Sequence, residues 1–257
     1  MRQLLGRWLA AYLGAPGHSS PIGLPTDLRL LGAVLRPGDV LLVEGTSRIS
    51  AAIKYLTQST WSHAGLYVGP LAPPSTGAPA ACVIEADLRD GVRATPLSAF
   101  AHLHCRICRP VGLDADEVRR ICRFAIERLG ESYDLKHVLD MARYLLPAAP
   151  VPLHWRRHLI ALGSADPTRA ICSTLIAEAF QSVGYPILPR IEQQHRSDSE
   201  TQACVRQILH VRDHNLFTPR DFDVSPYFNV IKPELGPGFD HRALIWSDAP
   251  APAAAVD

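Results

Sequence analysis

Between residues 36 and 110 the chain runs through five short apolar segments fenced by turn residues, and helical patterning dominates only afterwards. Arg36-Pro37-Gly38-Asp39 spells a turn, and VLLVEG (40–45) follows as a strand. AGLYVG (64–69) predicts a second strand, closed by a Pro- and Gly-rich loop at 70–80. ACVIEAD (81–87) is a third, DGVRATPL (90–97) a turn with a short fourth, and HCRICRP (104–110) a fifth. A short helix from Ser47 to Tyr55 breaks the series, with Ile49, Ile53 and Leu56 at helical spacing. Strands first and helices afterwards predict an α+β domain with an antiparallel sheet packed against helices.

The helical part begins at Asp114 or Asp116, either of which can cap a helix running to about Leu129. Val118, Ile121, Cys122, Ala125 and Leu129 form its expected buried side, and Gly130 closes it. A second helical stretch spans about Leu135 to Leu145, stopped by prolines at 147, 150 and 152. CSTLIAEAFQSVG (172–184) is a third, ended by Gly184, and 218–233 reads as loop then strand. The expected organisation is an amphipathic N-terminal helix at 1–13, a linker and lead-in at 14–35, one domain at 36–246 and a disordered tail at 247–257.

A chain of 257 residues, 47% hydrophobic, can bury a sizeable core. Its formal charge of +1 provides no field to attract nucleic acid. Six cysteines, at 82, 105, 108, 122, 172 and 204, lie mostly in apolar stretches of a long chain. That placement reads as reduced thiols in a cytoplasmic protein rather than a disulfide framework. In MRQLLGRWLAAYL, Arg7 interrupts an apolar run too short to span a bilayer. Leu5, Trp8, Leu9 and Tyr12 share a helical face, which can pack on the domain or serve as a peripheral membrane contact.

The chemistry sits in two segments. His63, in WSHAGLYVG (61–69), stands where a loop enters a strand, a position open to a general base, a metal ligand or a hydrogen-bonded core residue. Cys172, in AICSTLIAEAF (170–180), stands at the start of a helix. There, unpaired backbone N–H groups and the positive dipole end favour thiolate over thiol. The same N–H groups can receive an oxyanion; the bland alternative is a small buried residue in a packed helix. Glu85 lies in the strand after the histidine's strand, so antiparallel pairing would bring it beside His63 as the group that orients the ring.

These segments in order, RPGDVLLVEG, TQSTWSHAGLYVG, VIEA, GESYD and ICSTLIAEAF, resemble the circularly permuted papain-like amidases, the YiiX-like branch of the NlpC superfamily, related to the lecithin:retinol acyltransferase group. The matching stretch runs from about Arg36 to Gly184, with TPRDFDVSPYFNVIKP similar to a closing segment of some members. The resemblance implies a permuted papain-like fold with Cys172 as nucleophile, His63 as base and Glu85 as third member. It also implies Tyr133, in GESYD, near the oxyanion, with Ser173 beside the nucleophile as an oxyanion or substrate-binding residue. The implied activity is cleavage of an amide or ester bond through a thioester, without cofactor. A lipid-directed acyltransferase or thiol lipase and a non-enzymatic ligand-binding domain are the alternatives. The substrate is then a small molecule, a peptide or a lipid acyl group.

Other candidates carry less. His102, His104, Cys105 and Cys108 suggest half a zinc site, but a second half-site at suitable spacing is missing, and strand geometry puts 105 and 108 on opposite faces. No metal is therefore expected. Lys54 and Gln58 lie one helical turn apart just before His63, within reach of either substrate or solvent.

Overall fold

The computed structural model describes Ala15, Gly23 and residues 25–71, 81–87, 90–131, 171–195, 205–210 and 212–232. The N-terminal helix expected at 1–13, the helix at 135–145, Tyr133, Cys204 and the tail lie outside these residues.

The first described element is helix α1 (Leu28–Val34), capped by the Asp27 side chain on the Arg29 N–H. Strand β1 (Val40–Glu44) follows, then helix α2 (Arg48–Thr57), strand β2 (His63–Tyr67), and the hairpin of β3 (Ala81–Asp87) with β4 (Gly91–Pro96). After a short 3-10 turn (Leu97–Phe100) come β5 (His104–Pro110) and helix α3 (Ala115–Glu127). Helix α4 (Ile171–Gln181), a hairpin of β6 (Arg190–His195) and β7 (Val205–His210), helix α5 (Pro219–Val224) and β8 (Phe228–Ile231) complete the order. Six strands form one sheet in the order β4-β3-β2-β1-β5-β8, each neighbouring pair antiparallel. This is the α+β architecture that strands followed by helices predict.

Strand β1 explains the layering. Its VLLV run is apolar without alternation because both faces are covered. Val40 and Leu42 point into one core with Ala64, Leu66, Ile84, Cys108, and helices α3 and α4 through Ile121, Ala125, Leu175, Ile176 and Phe180. Leu41 and Val43 point into a second core with Leu31 and Leu35 at α1, Phe100, Cys105 and Ile107. Cys105 and Cys108 accordingly face opposite cores, as strand alternation requires.

Helix α4 needs no amphipathic stripe. Leu175, Ile176, Ala177, Ala179 and Phe180 are all fully buried, so the small apolar run CSTLIAEAF forms a helix enclosed by the first core and packed on β2 and β3. Helix α3 is held at its start by a reciprocal capping box between Asp114 and Glu117. Val118, Ile121, Cys122 and Ala125 turn inward as expected; Leu129 does not. It lies beyond the helix end and is 38% exposed, because the helical face no longer governs the turn at Arg128 to Gly130.

The RPGD turn has a structural function of its own. Asp39 is 1% exposed; its Oδ2 accepts the Arg36 N–H at 2.7 Å, while Arg109 forks onto both carboxylate oxygens at 2.8 and 2.7 Å. The same guanidinium donates to the Val34 carbonyl at 2.6 Å, tying the end of α1 to β5. The stretch at 218–233, expected as loop then strand, instead opens with α5. Pro219 occupies its first turn, and Thr218 and Asp221 form its capping box.

Candidate active site

His63 opens strand β2, opposite Val43 in the register with β1. The residues before it are pinned. The Trp61 indole N–H donates to Asp223 at 3.1 Å, the buried Ser62 donates its backbone N–H to Val43 at 3.1 Å, and the Ser62 hydroxyl accepts from Gly45 N–H at 2.9 Å. A loop that enters the sheet under such constraint fixes where the imidazole starts.

Strand β3 pairs with β2 through Leu66 with Ile84 and Tyr67 with Val83, a register that sets Gly65 across from Glu85. Because position 65 lacks a side chain, the Glu85 carboxylate can run diagonally to His63. A Cβ there would meet Val83 Cγ1 at 2.4 Å and Glu85 Cβ at 3.8 Å. His63 Nε2 and Glu85 Oε2 are 2.6 Å apart, the short range of a charge-assisted bond. Glu85 is 4% exposed.

Cys172 is the second residue of α4 and is buried. The His63 imidazole and the Ala64 backbone N–H lie close enough to its sulfur to stabilise the thiolate, with the Ser173 hydroxyl 4.0 Å away. Since Glu85 engages Nε2, the sulfur is left with Nδ1. Sulfur, imidazole and carboxylate thus form one continuous chain of contacts.

Electrostatics follow from that chain. Burial opposes charge on His63, yet the Cys172 sulfur and Glu85 outweigh it and hold the imidazolium up to about 10. Burial likewise opposes the Cys172 thiolate. The charge and hydrogen bond of His63, the Ala64 N–H and the Ser173 hydroxyl overcome that and put the thiol below its ordinary value. Burial would raise Glu85, but His63, the Thr95 hydroxyl and the Arg93 guanidinium bring it down to about 2. Cys108 and Cys122 go the other way: burial pushes Cys108 well up and Cys122 to about 11.

Of the other residues singled out in the sequence, Ser173 is fully buried beside the sulfur. Tyr133 lies outside the described residues. The Lys54 side chain is largely withdrawn from solvent. Its ammonium pairs at 3.3 Å with the fully buried Glu44, which also contacts His104 Nδ1 at 3.0 Å and the Gly23 N–H at 3.2 Å. Gln58, the left-handed cap of α2, donates to the Tyr55 carbonyl at 2.6 Å. Among the described residues no three His, Cys, Asp or Glu side chains are grouped as a metal ion would need, and no helix is long and apolar enough to cross a membrane.

Two residues escaped the sequence reading: Arg93 and Thr95, both on β4 and both bonded to Glu85. The signal was available in the tight turn after Asp87. It folds β4 back on β3 with Arg93 opposite Glu85 and Thr95 two residues along the same face.

Residues 34–145 match the family model of the permuted papain-like amidase enzymes, YaeF/YiiX, C92 family. Among solved structures, the chain is similar to that described as the crystal structure of metalloprotein YiiX from Escherichia coli O157:H7. The identity is 19%, with 77% of this chain and 96% of that one covered at a TM-score of 0.44. No curated protein matches. The match over residues 34–145, together with a six-stranded antiparallel sheet and its helices, supports the resemblance to the YiiX-like permuted papain-like amidases.

Proposed function

We propose that this protein is a cysteine hydrolase that cleaves an amide or ester bond through Cys172, His63 and Glu85. The observation that carries the reading is the unbroken chain from the Cys172 sulfur through His63 to Glu85 Oε2, with His63 Nε2 2.6 Å from the carboxylate. A thiol whose pKa is lowered beside an imidazole whose pKa is raised describes a thiolate–imidazolium pair, the resting state of a nucleophile ready at neutral pH.

In the proposed cycle the Cys172 thiolate attacks the carbonyl carbon and forms a carbon–sulfur bond, while the carbonyl electron pair moves onto oxygen. Backbone N–H groups at the start of α4 receive that oxyanion. The intermediate collapses as the carbon–nitrogen (or carbon–oxygen) bond breaks, and His63 Nδ1 delivers its proton to the leaving group. Water then gives a proton to His63, and its oxygen attacks the thioester. The acid departs and the thiolate–imidazolium pair returns. Glu85 remains ionised throughout, fixing the ring and its tautomer.

Competitive alkylation by iodoacetamide near neutral pH tests the reading. Cys172 should react well ahead of Cys108 and Cys122, whose thiols burial holds protonated, and His63→Ala should abolish the advantage. Equal labelling of the three thiols would remove the nucleophile from the proposal. A screen of N-acyl amino acids, cell-wall peptides and phospholipids against the wild type and Cys172→Ala would then identify the acyl group.

A further inference from the structure

The carboxylate of Glu85 is held from both sides by different elements. Oε2 faces His63 Nε2 at 2.6 Å. Oε1 accepts from the Thr95 hydroxyl at 2.7 Å, from Arg93 Nε at 3.0 Å and from a terminal nitrogen of the same guanidinium at 2.9 Å. Both donors come from β4, two residues apart on one face, where the hairpin register puts Arg93 opposite Glu85. Thr95 is buried, whereas the Arg93 side chain is 42% exposed and spreads over Asp90 at 2.8 Å and Asp87 at 3.7 Å at the hairpin turn.

This arrangement does more than satisfy a buried charge. An unclamped carboxylate can rotate about its last bond and exchange its oxygens, losing the in-plane approach to the ring. Saturating Oε1 with a hydroxyl and a cation fixes the plane of the group and leaves Oε2 directed at Nε2. The β3–β4 hairpin therefore sets the angle at which the imidazole faces the sulfur, although neither donor touches Cys172.

The geometry points to Arg93 and Thr95 as positioning residues of the proposed reaction, a two-donor clamp on Glu85 Oε1 that orients His63 toward Cys172. The inference rests on the Cys172–His63–Glu85 reading. The charged groups facing the clamped carboxylate are His63 from β2, Asp87 on its own strand, Arg93 from β4 and Asp90 from the turn.

The test is the pH profile of Cys172 alkylation by iodoacetamide in the intact protein, with modification at that residue read by mass spectrometry. Removing the Thr95 hydroxyl (Thr95→Val) or the guanidinium (Arg93→Met) should shift the acid limb of the profile toward the ordinary thiol range. Alkylation near neutral pH should fall roughly tenfold, the loss expected of one charge-assisted bond. Thr95→Ser, which keeps the hydroxyl, should restore the wild-type limb. In a Glu85→Ala background, where no acceptor is left for the donors to hold, neither Thr95→Val nor Arg93→Met should add a further shift.

Arg93→Met keeps the aliphatic stem of a partly exposed side chain, so it reads the clamp even if Thr95→Val fails to fold. Profiles of Arg93→Met and folded Thr95→Val that coincide with wild type would overturn the clamp alone. So would equal shifts with and without Glu85. A wild-type profile lacking any acid-shifted limb at Cys172 would overturn the triad reading and the clamp with it.

Discussion

At the scale of single residues, the arrangement makes Glu85 a carboxylate that stays ionised and His63 an imidazole that stays charged. Glu85→Gln should retain the fold, since the amide oxygen can still accept from Thr95 and Arg93. Its NH₂, however, then faces Nε2 and requires that nitrogen to accept, which moves the ring proton to Nδ1 and disables the base. Turnover should drop by at least about a hundredfold, measured as kcat on whichever acyl substrate a screen provides. Full activity in that variant would mean that the third member has been misassigned. The pair also contributes to stability within a defined window. Glu85 is depressed from 4.5 to about 2, so its share is present above 4.5 and is lost as pH falls through about 2. His63 is raised from 6.5 to about 10, so its share is complete below 6.5 and is lost as pH rises through about 10. Denaturation midpoints compared with Glu85→Gln should therefore differ most between these limits and converge beyond them. His63, Glu85 and Cys172 were legible in the sequence because each is a reactive type in an apolar context. Arg93 and Thr95 were not singled out, because a surface arginine and a strand threonine look ordinary until the hairpin register is known.

At the scale of elements, the β2–β3 pairing is the fragile join. Gly65→Ala places a methyl 2.4 Å from a branched, fully buried Val83, which has little freedom to yield. Overpacking of this kind costs about 1–3 kcal/mol. The strands should part enough to lengthen the His63–Glu85 bond, so both the melting temperature and Cys172 alkylation should fall. An unchanged alkylation rate would show that the pairing does not set the site. Helix α3 supplies a control: Asp114→Ala removes its capping box and should cost about 1 kcal/mol with alkylation unchanged. Strands β1 to β5 and the cores of α3 and α4 were readable because alternation, apolar runs and caps agree there. Helix α1 was not, being seven residues with Gly32 inside and read as lead-in. The six-residue α5 was also missed, although its Thr218-Pro219 start and Asp221 cap are helix signals. The β6–β7 hairpin carries Gln, Arg and His where an apolar strand pattern would be sought.

At the scale of the whole molecule, two cores share one sheet, and Asp39 with Arg109 fastens the edge between them. Arg109→Met would leave the 1% exposed Asp39 without its bidentate partner and free the Val34 carbonyl. An uncompensated buried charge of that kind costs roughly 3–5 kcal/mol, which chemical denaturation would register. The RPGD motif is thus a stability device, and the amidase resemblance it helped to carry is a statement about fold as much as chemistry. The proposed thiol chemistry, by contrast, depends on a helix start and a strand start more than a hundred residues apart meeting at Cys172 and His63. Everything proposed for catalysis depends on that meeting. Its most direct test is the pH dependence of Cys172 alkylation in wild type and His63→Ala. The account predicts that the wild-type thiol reacts well below the ordinary thiol range and that removing the imidazole returns it there; identical profiles in the two proteins would contradict it.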